Sequence, residues 1–259
     1  MGGSGTLHAM GARIAIVAYS DYVCPWCYIG LERIERLVRK FPVDVEWRPF
    51  ELHPETPPGG ADLSGRLGSS ARAAAYANNI VVLAGESGLA MRMPPVVANS
   101  HLALEAAEFA RERGGFDAYH RALFRAYFEQ ARDIGDAEVL CDLARETGVD
   151  DQHLRDALAE RRYSALVDRM TEEARADEVL STPDVRLLGR LSPRRGAGLR
   201  GVCERHAPAV GPPAGGDLTE PSARSIAAIP LPAFARMARV VVHDGLPSGG
   251  APNARPEQL

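Results

Sequence analysis

No long apolar run interrupts this chain. None of its 259 residues opens a window near the roughly 18 consecutive apolar residues that a membrane span needs. Charge of one sign is also missing: 30 basic and 34 acidic side chains leave a formal charge of −4, which excludes the basic footprint of a nucleic-acid binder. Cysteine is scarce at four residues, too few for a disulfide scaffold in a chain of this length. Aromatics make up only 6%, and after Tyr163 the sole one is Phe234. Residues 191–259 hold 19 glycines and prolines in 69 positions, against 25 in the preceding 190, so this last part is low in complexity and short of core-forming side chains.

What is present is ordinary globular material, 46% hydrophobic and 25% charged. The opening MGGSGTLHAMGAR has no apolar centre of a secretory leader. The expectation is a disordered tail over residues 1–12 and a cytoplasmic protein. In that compartment a disulfide is more often catalytic than structural.

The front of the chain reads as strand, helix, strand. Arg13 to Ser20 is a short Ile- and Val-rich run, as in a buried strand. From Cys27 to Lys40, Ile29, Arg33, Ile34, Leu37 and Val38 fall at helical spacing, and Pro42 ends the pattern. Val43 to Leu52 alternates Val43, Val45 and Trp47 with Asp44, Glu46 and Arg48. Elements this close in sequence predict a βαβ unit with parallel strands. Residues 54–68, punctuated by prolines and glycines, read as loop. From about 69 to 178 the pattern is helical, with apolar stripes through Phe109, through Tyr119 and Phe124, through Leu140 and Leu143, and through Val167. Asp136 suits the N-cap of the third of these helices. So large a helical block predicts a subdomain inserted after the second strand.

Cys24-Pro25-Trp26-Cys27 carries the chemistry. Two cysteines two residues apart, between a strand and a helix, lie one helical turn apart on the same side, close enough to bond. At the helix start, unpaired N–H groups and the macrodipole favour the thiolate of Cys24, which is the reactive species. Pro25 suits the first turn because its missing N–H would be unpaired there anyway. Trp26 is expected to sit exposed beside the sulfurs, as an apolar contact for an incoming polypeptide. A C-x-x-C is also half of a structural zinc site, but Cys141 and Cys203 are single and no H-x₃₋₅-H pair completes one. A structural disulfide is a further reading; redox use fits the strand–helix context better.

Asp21 to Leu37 (DYVCPWCYIGLERIERL) followed by Val45 to Glu55 (VEWRPFELHPE), with Ala126 to Asp136 (AYFEQARDIGD) and the helical block, resembles the FrnE-like branch of the DsbA family of thioredoxin-fold oxidoreductases. The resemblance covers roughly residues 13–183. It implies an α/β thioredoxin-like fold made of residues 13–58 and about 179–190, with the helical subdomain inserted at 59–178 and an atypical Pro/Gly-rich region over 191–259. It also implies dithiol–disulfide exchange on protein substrates, with Cys24 as nucleophile and Cys27 resolving the mixed disulfide. No metal or nucleotide is called for, and glutathione would serve as reductant. By alignment with the run Glu173 to Pro183, Pro183 falls at the family's cis-proline position, shaping the floor of the groove. Departures are clear: Glu178 and Ser181 replace glycines, Thr182 replaces a valine, and no hairpin pattern follows at once. Val185 to Leu188 with Gly189-Arg190 is a candidate start of that hairpin, and Ala233 to Val242 is a weak candidate for a closing helix turn and strand. Residues beyond about 191 are otherwise expected to be irregular.

Related branches with this fold, the 2-hydroxychromene-2-carboxylate isomerases and the kappa-class glutathione transferases, usually carry a serine and no second cysteine at the motif. The intact Cys27 argues against them, and equally against a redox-inert peptide-binding module. Lesser candidates have plainer roles. His101 reads as a capping or core histidine, His120 and Cys141 as core, Cys203 as a free thiol and Arg194-Arg195 as solvated charge.

Overall fold

A computed structural model describes residues 13–191 and 241–242 of the chain. The expectations placed on residues 1–12, on Arg194-Arg195 and Cys203, and on most of the stretch beyond 191 lie outside the described residues. Of the segment Ala233 to Val242, only Val241–Val242 is described.

Strand β1 (Arg13–Ser20) is buried from Ala15 onward, as expected of a strand covered on both faces. Helix α1 (Pro25–Lys40) follows, then β2 (Val43–Pro49). β1 and β2 pair in parallel, Ile14 opposite Val43 through Ser20 opposite Pro49, which is the βαβ unit the sequence predicts. β2 ends at Pro49 rather than at Leu52. Proline removes a ladder donor, and the chain leaves the sheet there. Strand β5 (Asp184–Leu191) returns antiparallel on the other side of β1, with a register shift between Ile14 and Ile16. A two-residue strand, β6 (Val241–Val242), pairs in parallel with Arg186 and Leu187 of β5, so the sheet order is β2-β1-β5-β6.

Between β2 and β5 the chain is mostly helical. The loop expected at 54–68 contains β3 (Ala61–Asp62) and a one-turn helix, α2 (Leu63–Leu67). Then come α3 (Ser70–Glu86), β4 (Val96–Val97), α4 (His101–Glu112), α5 (Phe116–Phe128), α6 (Ala137–Thr147), α7 (Asp151–Ala159) and α8 (Ser164–Ala176). β3 and β4 form a small antiparallel ribbon, so the block expected to be helical from 69 to 178 is broken near 87–100. No described helix is long and apolar enough to cross a membrane.

One core cluster runs from the sheet into the helices. The joint is aromatic. Tyr28 of α1 stacks on Phe124 of α5 with centroids 5.5 Å apart, and on Phe128 at 5.9 Å. Its hydroxyl donates to Glu129 Oε1 at 2.6 Å. His120 of α5 is buried, with Nδ1 2.7 Å from the Tyr22 hydroxyl and its ring 4.8 Å from that of Trp47. Packed aromatics of this kind contribute specific geometry as well as buried area. They seat the helices against α1, which begins at the cysteine motif.

Candidate active site

β1 delivers the chain to a tight turn at Tyr22 and Val23. The Cys24 amide donates to the Asp21 carbonyl at 3.1 Å, and the Cys27 amide to the Cys24 carbonyl at 3.0 Å. Cys24 is the N-cap of α1 with an extended backbone (φ −86°, ψ 113°), and its side chain makes no capping bond. Pro25 occupies the first helical position, where its lack of an amide hydrogen costs nothing. The helix therefore starts two residues earlier than the apolar spacing from Cys27 indicates. Cys24 lies at the positive end of the macrodipole, and Cys27 lies within the first turn.

Both cysteines are buried and reduced. Burial pushes the Cys24 thiol up, but hydrogen bonds from the Cys27 thiol and from Thr182 outweigh it. The Cys24 pKa lies below the ordinary thiol value. Burial pushes Cys27 the same way, and the Cys24 charge adds to it, so Cys27 lies well above the ordinary value. The two thiols are shifted in opposite directions, Cys24 toward the thiolate and Cys27 toward the thiol.

Thr182 and Pro183 face this pair from the start of β5. The Thr182–Pro183 peptide bond is cis. The Cys24 thiol donates to the Thr182 carbonyl at 3.3 Å, and the buried Thr182 hydroxyl has no other partner, leaving it free to serve the thiolate. A Cβ placed on Gly30 would lie 3.5 Å from Pro183 Cγ, so the second turn of α1 runs in van der Waals range of the proline ring. Leu180, two residues before Thr182, is 80% exposed, an apolar side chain standing in solvent.

Trp26 is half-buried and packed against the core; this corrects the expectation of an exposed contact. The cover comes from α3, which packs against α1 and brings Tyr76 beside the Trp26 side chain. Burial, and then the nearby Cys24 charge, hold the Tyr76 phenol above its usual range.

Behind the pair lies Asp21, fully buried. Its carboxylate accepts from the Val23 amide at 3.2 Å and the Leu52 amide at 2.7 Å. Burial raises it to about 6 against these hydrogen bonds. Its negative charge opposes ionisation of Cys24. Sequence reasoning passed over Asp21 and Thr182. The signal for Asp21 was its place three residues before Cys24. Thr182 carried only its position before Pro183.

Among the lesser candidates, His120 and Cys141 are core residues, as expected. His101 neither caps α4 nor sits in an apolar core: Nδ1 lies 2.9 Å from Glu51 Oε2 and Nε2 3.0 Å from Ser164 Oγ.

Comparison with known proteins identifies the family and the fold. The family described as DSBA-like thioredoxin domain matches residues 15–194. The protein YwbO of Bacillus subtilis (strain 168), itself uncharacterized, is 32% identical over 152 residues, covering 58% of this chain and 74% of that protein. Among solved structures, the probable DsbA oxidoreductase SCO1869 from Streptomyces coelicolor superposes with a TM-score of 0.63 at 29% identity, over 69% of this chain and 83% of that one. The cytosolic disulfide reductase DsbM from Pseudomonas aeruginosa, solved with GSH, shares the fold with a TM-score of 0.51 at 18% identity, over 69% of this chain and 89% of that one.

Proposed function

Because this chain belongs to the DsbA-like thioredoxin domain family, we propose that it exchanges disulfides with protein substrates through Cys24 and Cys27. The observation that carries the reading is the asymmetry of the pair: Cys24 is the N-cap of α1 with its thiol lowered, and Cys27 is held protonated one turn on. A C-P-W-C motif joined to W-R-P-F-E-L supports placing the chain in the FrnE-like branch.

In the reductive direction the Cys24 thiolate attacks one sulfur of a substrate disulfide. The substrate S–S bond breaks, a mixed disulfide forms at Cys24, and the first substrate sulfur leaves as a thiolate. Cys27 then loses its proton and attacks Cys24 Sγ. The second substrate sulfur leaves, and the Cys24–Cys27 disulfide remains. Two electrons have passed to the substrate. The oxidative direction is the reverse. A small thiol such as glutathione would restore the dithiol; the fold neighbour solved with GSH makes it the first reductant to try. Pro183 forms the wall opposite the sulfurs, and the exposed Leu180 would supply apolar contact to the bound chain.

Reduction of insulin, followed by turbidity, tests the activity. Replacing Cys24 by serine is expected to lower it to background. Cys27→Ser is expected to accumulate mixed disulfides in cell extract and to titrate below about 8.5, the free-thiol value. Equal trapping by both single variants would remove the assignment of roles.

A further inference from the structure

Three elements bring Glu51, His101 and Asp168 together: the segment after β2, the first residue of α4, and the exposed side of α8. One ligand atom from each lies within 4.8 Å of the other two. We propose that these residues form a site for a divalent first-row cation of the Zn²⁺ type, an inference independent of the thiol chemistry.

The donor set is one imidazole and two carboxylates. That combination suits Zn²⁺ and its neighbours better than Mg²⁺ or Ca²⁺, which prefer all-oxygen ligands. Three protein ligands with a fourth position left to water is a common zinc arrangement. Ligand bonds near 2.1 Å in a tetrahedron put donor atoms about 3.4 Å apart. Glu51 Oε2 and His101 Nδ1 are 2.9 Å apart, so this pair needs to move by under an ångström, with loss of the Nδ1 proton, while Asp168 closes in from within 4.8 Å. Asp168 is exposed and Glu51 is buried, giving the ion an entry side and an anchored side.

A second observation points the same way. Glu105, one turn along α4, is 0% exposed, and neither carboxylate oxygen has a well-aligned hydrogen-bond donor. It lies 3.6 Å from His101 Nε2 and faces Arg161 Nε at 2.8 Å. Glu51, Glu105 and Asp168 thus crowd one histidine. The cations facing them are Arg161 and, through the Glu51 carbonyl, Arg175. A bound dication would lock the segment after β2 to α4 and α8.

Cys24 and Cys27 as a dithiol would themselves bind Zn²⁺, so the full-length protein is titrated with that pair oxidised, after treatment with chelator. Calorimetry is expected to show one saturable equivalent of Zn²⁺ and none of Mg²⁺. His101→Ala and Asp168→Asn are each expected to weaken Zn²⁺ binding at least tenfold. Asp168 is exposed, so its replacement leaves the fold intact even where that of His101 does not. The Co²⁺-loaded protein is expected to lack thiolate-to-metal charge transfer, as an N,O site must. No saturable binding, binding undiminished in Asp168→Asn, or a thiolate band would each overturn the proposal.

Discussion

Thr182 acts on the two thiols with two different groups. Its carbonyl accepts from the Cys24 thiol, which favours the protonated form. Its hydroxyl has no partner of its own and lowers both cysteines. Valine keeps the carbonyl and the branched shape and removes only the hydroxyl. Thr182→Val in a Cys27→Ser background is therefore expected to move the Cys24 titration, read by thiolate absorbance, to higher pH. An unchanged midpoint would mean that the helix terminus alone sets it. Cys24, Cys27 and the cis-proline were legible as a motif and a spacing. Thr182 and Asp21 were not, because a hydroxyl or carboxyl acquires its role from what is buried against it, and burial follows from the packed chain.

The long helices were readable because a period near 3.6 repeats over several turns. α6 is an example. Asp136 stands at its N-cap and accepts from the Glu138 amide at 2.9 Å, and Leu140, Leu143 and Ala144 are buried behind it. Asp136→Ala is expected to cost about 1 kcal/mol in urea denaturation while leaving insulin reduction unchanged, since Asp136 bonds only the backbone of its own helix start. α2, β3 and β4 left no such signal. Their form depends on contacts: Gly60 holds φ +79°, and a Cβ there would lie 2.6 Å from Val96 Cγ1. Asp62 caps α2 through the Ser64 and Gly65 amides. A pair of two-residue strands is defined by what it meets, not by its own pattern.

Across the whole molecule, two buried groups set opposing pH dependences. Burial lowers His120 from 6.5 to about 3. The stability of the neutral ring is fully present above about 6.5 and is lost as pH falls toward 3, by about 1.4 kcal/mol per unit. Burial raises Asp21 from 3.8 to about 6. Its contribution is fully present below about 3.8 and is lost as pH rises through about 6, some 3 kcal/mol in total. Between about pH 4 and 6 these slopes cancel. Asp21→Asn is expected to expose the histidine limb, so the variant's stability relative to the parent falls by about 2–3 kcal/mol between pH 6 and 4. Urea midpoints at both pH values check this, and a constant difference would show that Asp21 is not the opposing group.

The sequence by itself determined the βαβ front, the helical block and the cysteine pair at a helix start, because each is written in neighbouring residues or in a repeated spacing; Pro183 stood out only through the family resemblance. The tertiary structure alone decided the rest. It covered Trp26 with α3, placed β6 in parallel beside β5, sealed Asp21 behind the cysteines, and drew Glu51, His101 and Asp168 from three elements into one cluster. Those outcomes rest on contacts between residues far apart in the chain, from the 31 positions between Asp21 and Leu52 to the 50 between Glu51 and His101 and beyond. Such contacts form only when burial of the shared core repays the ordering of the chain between them.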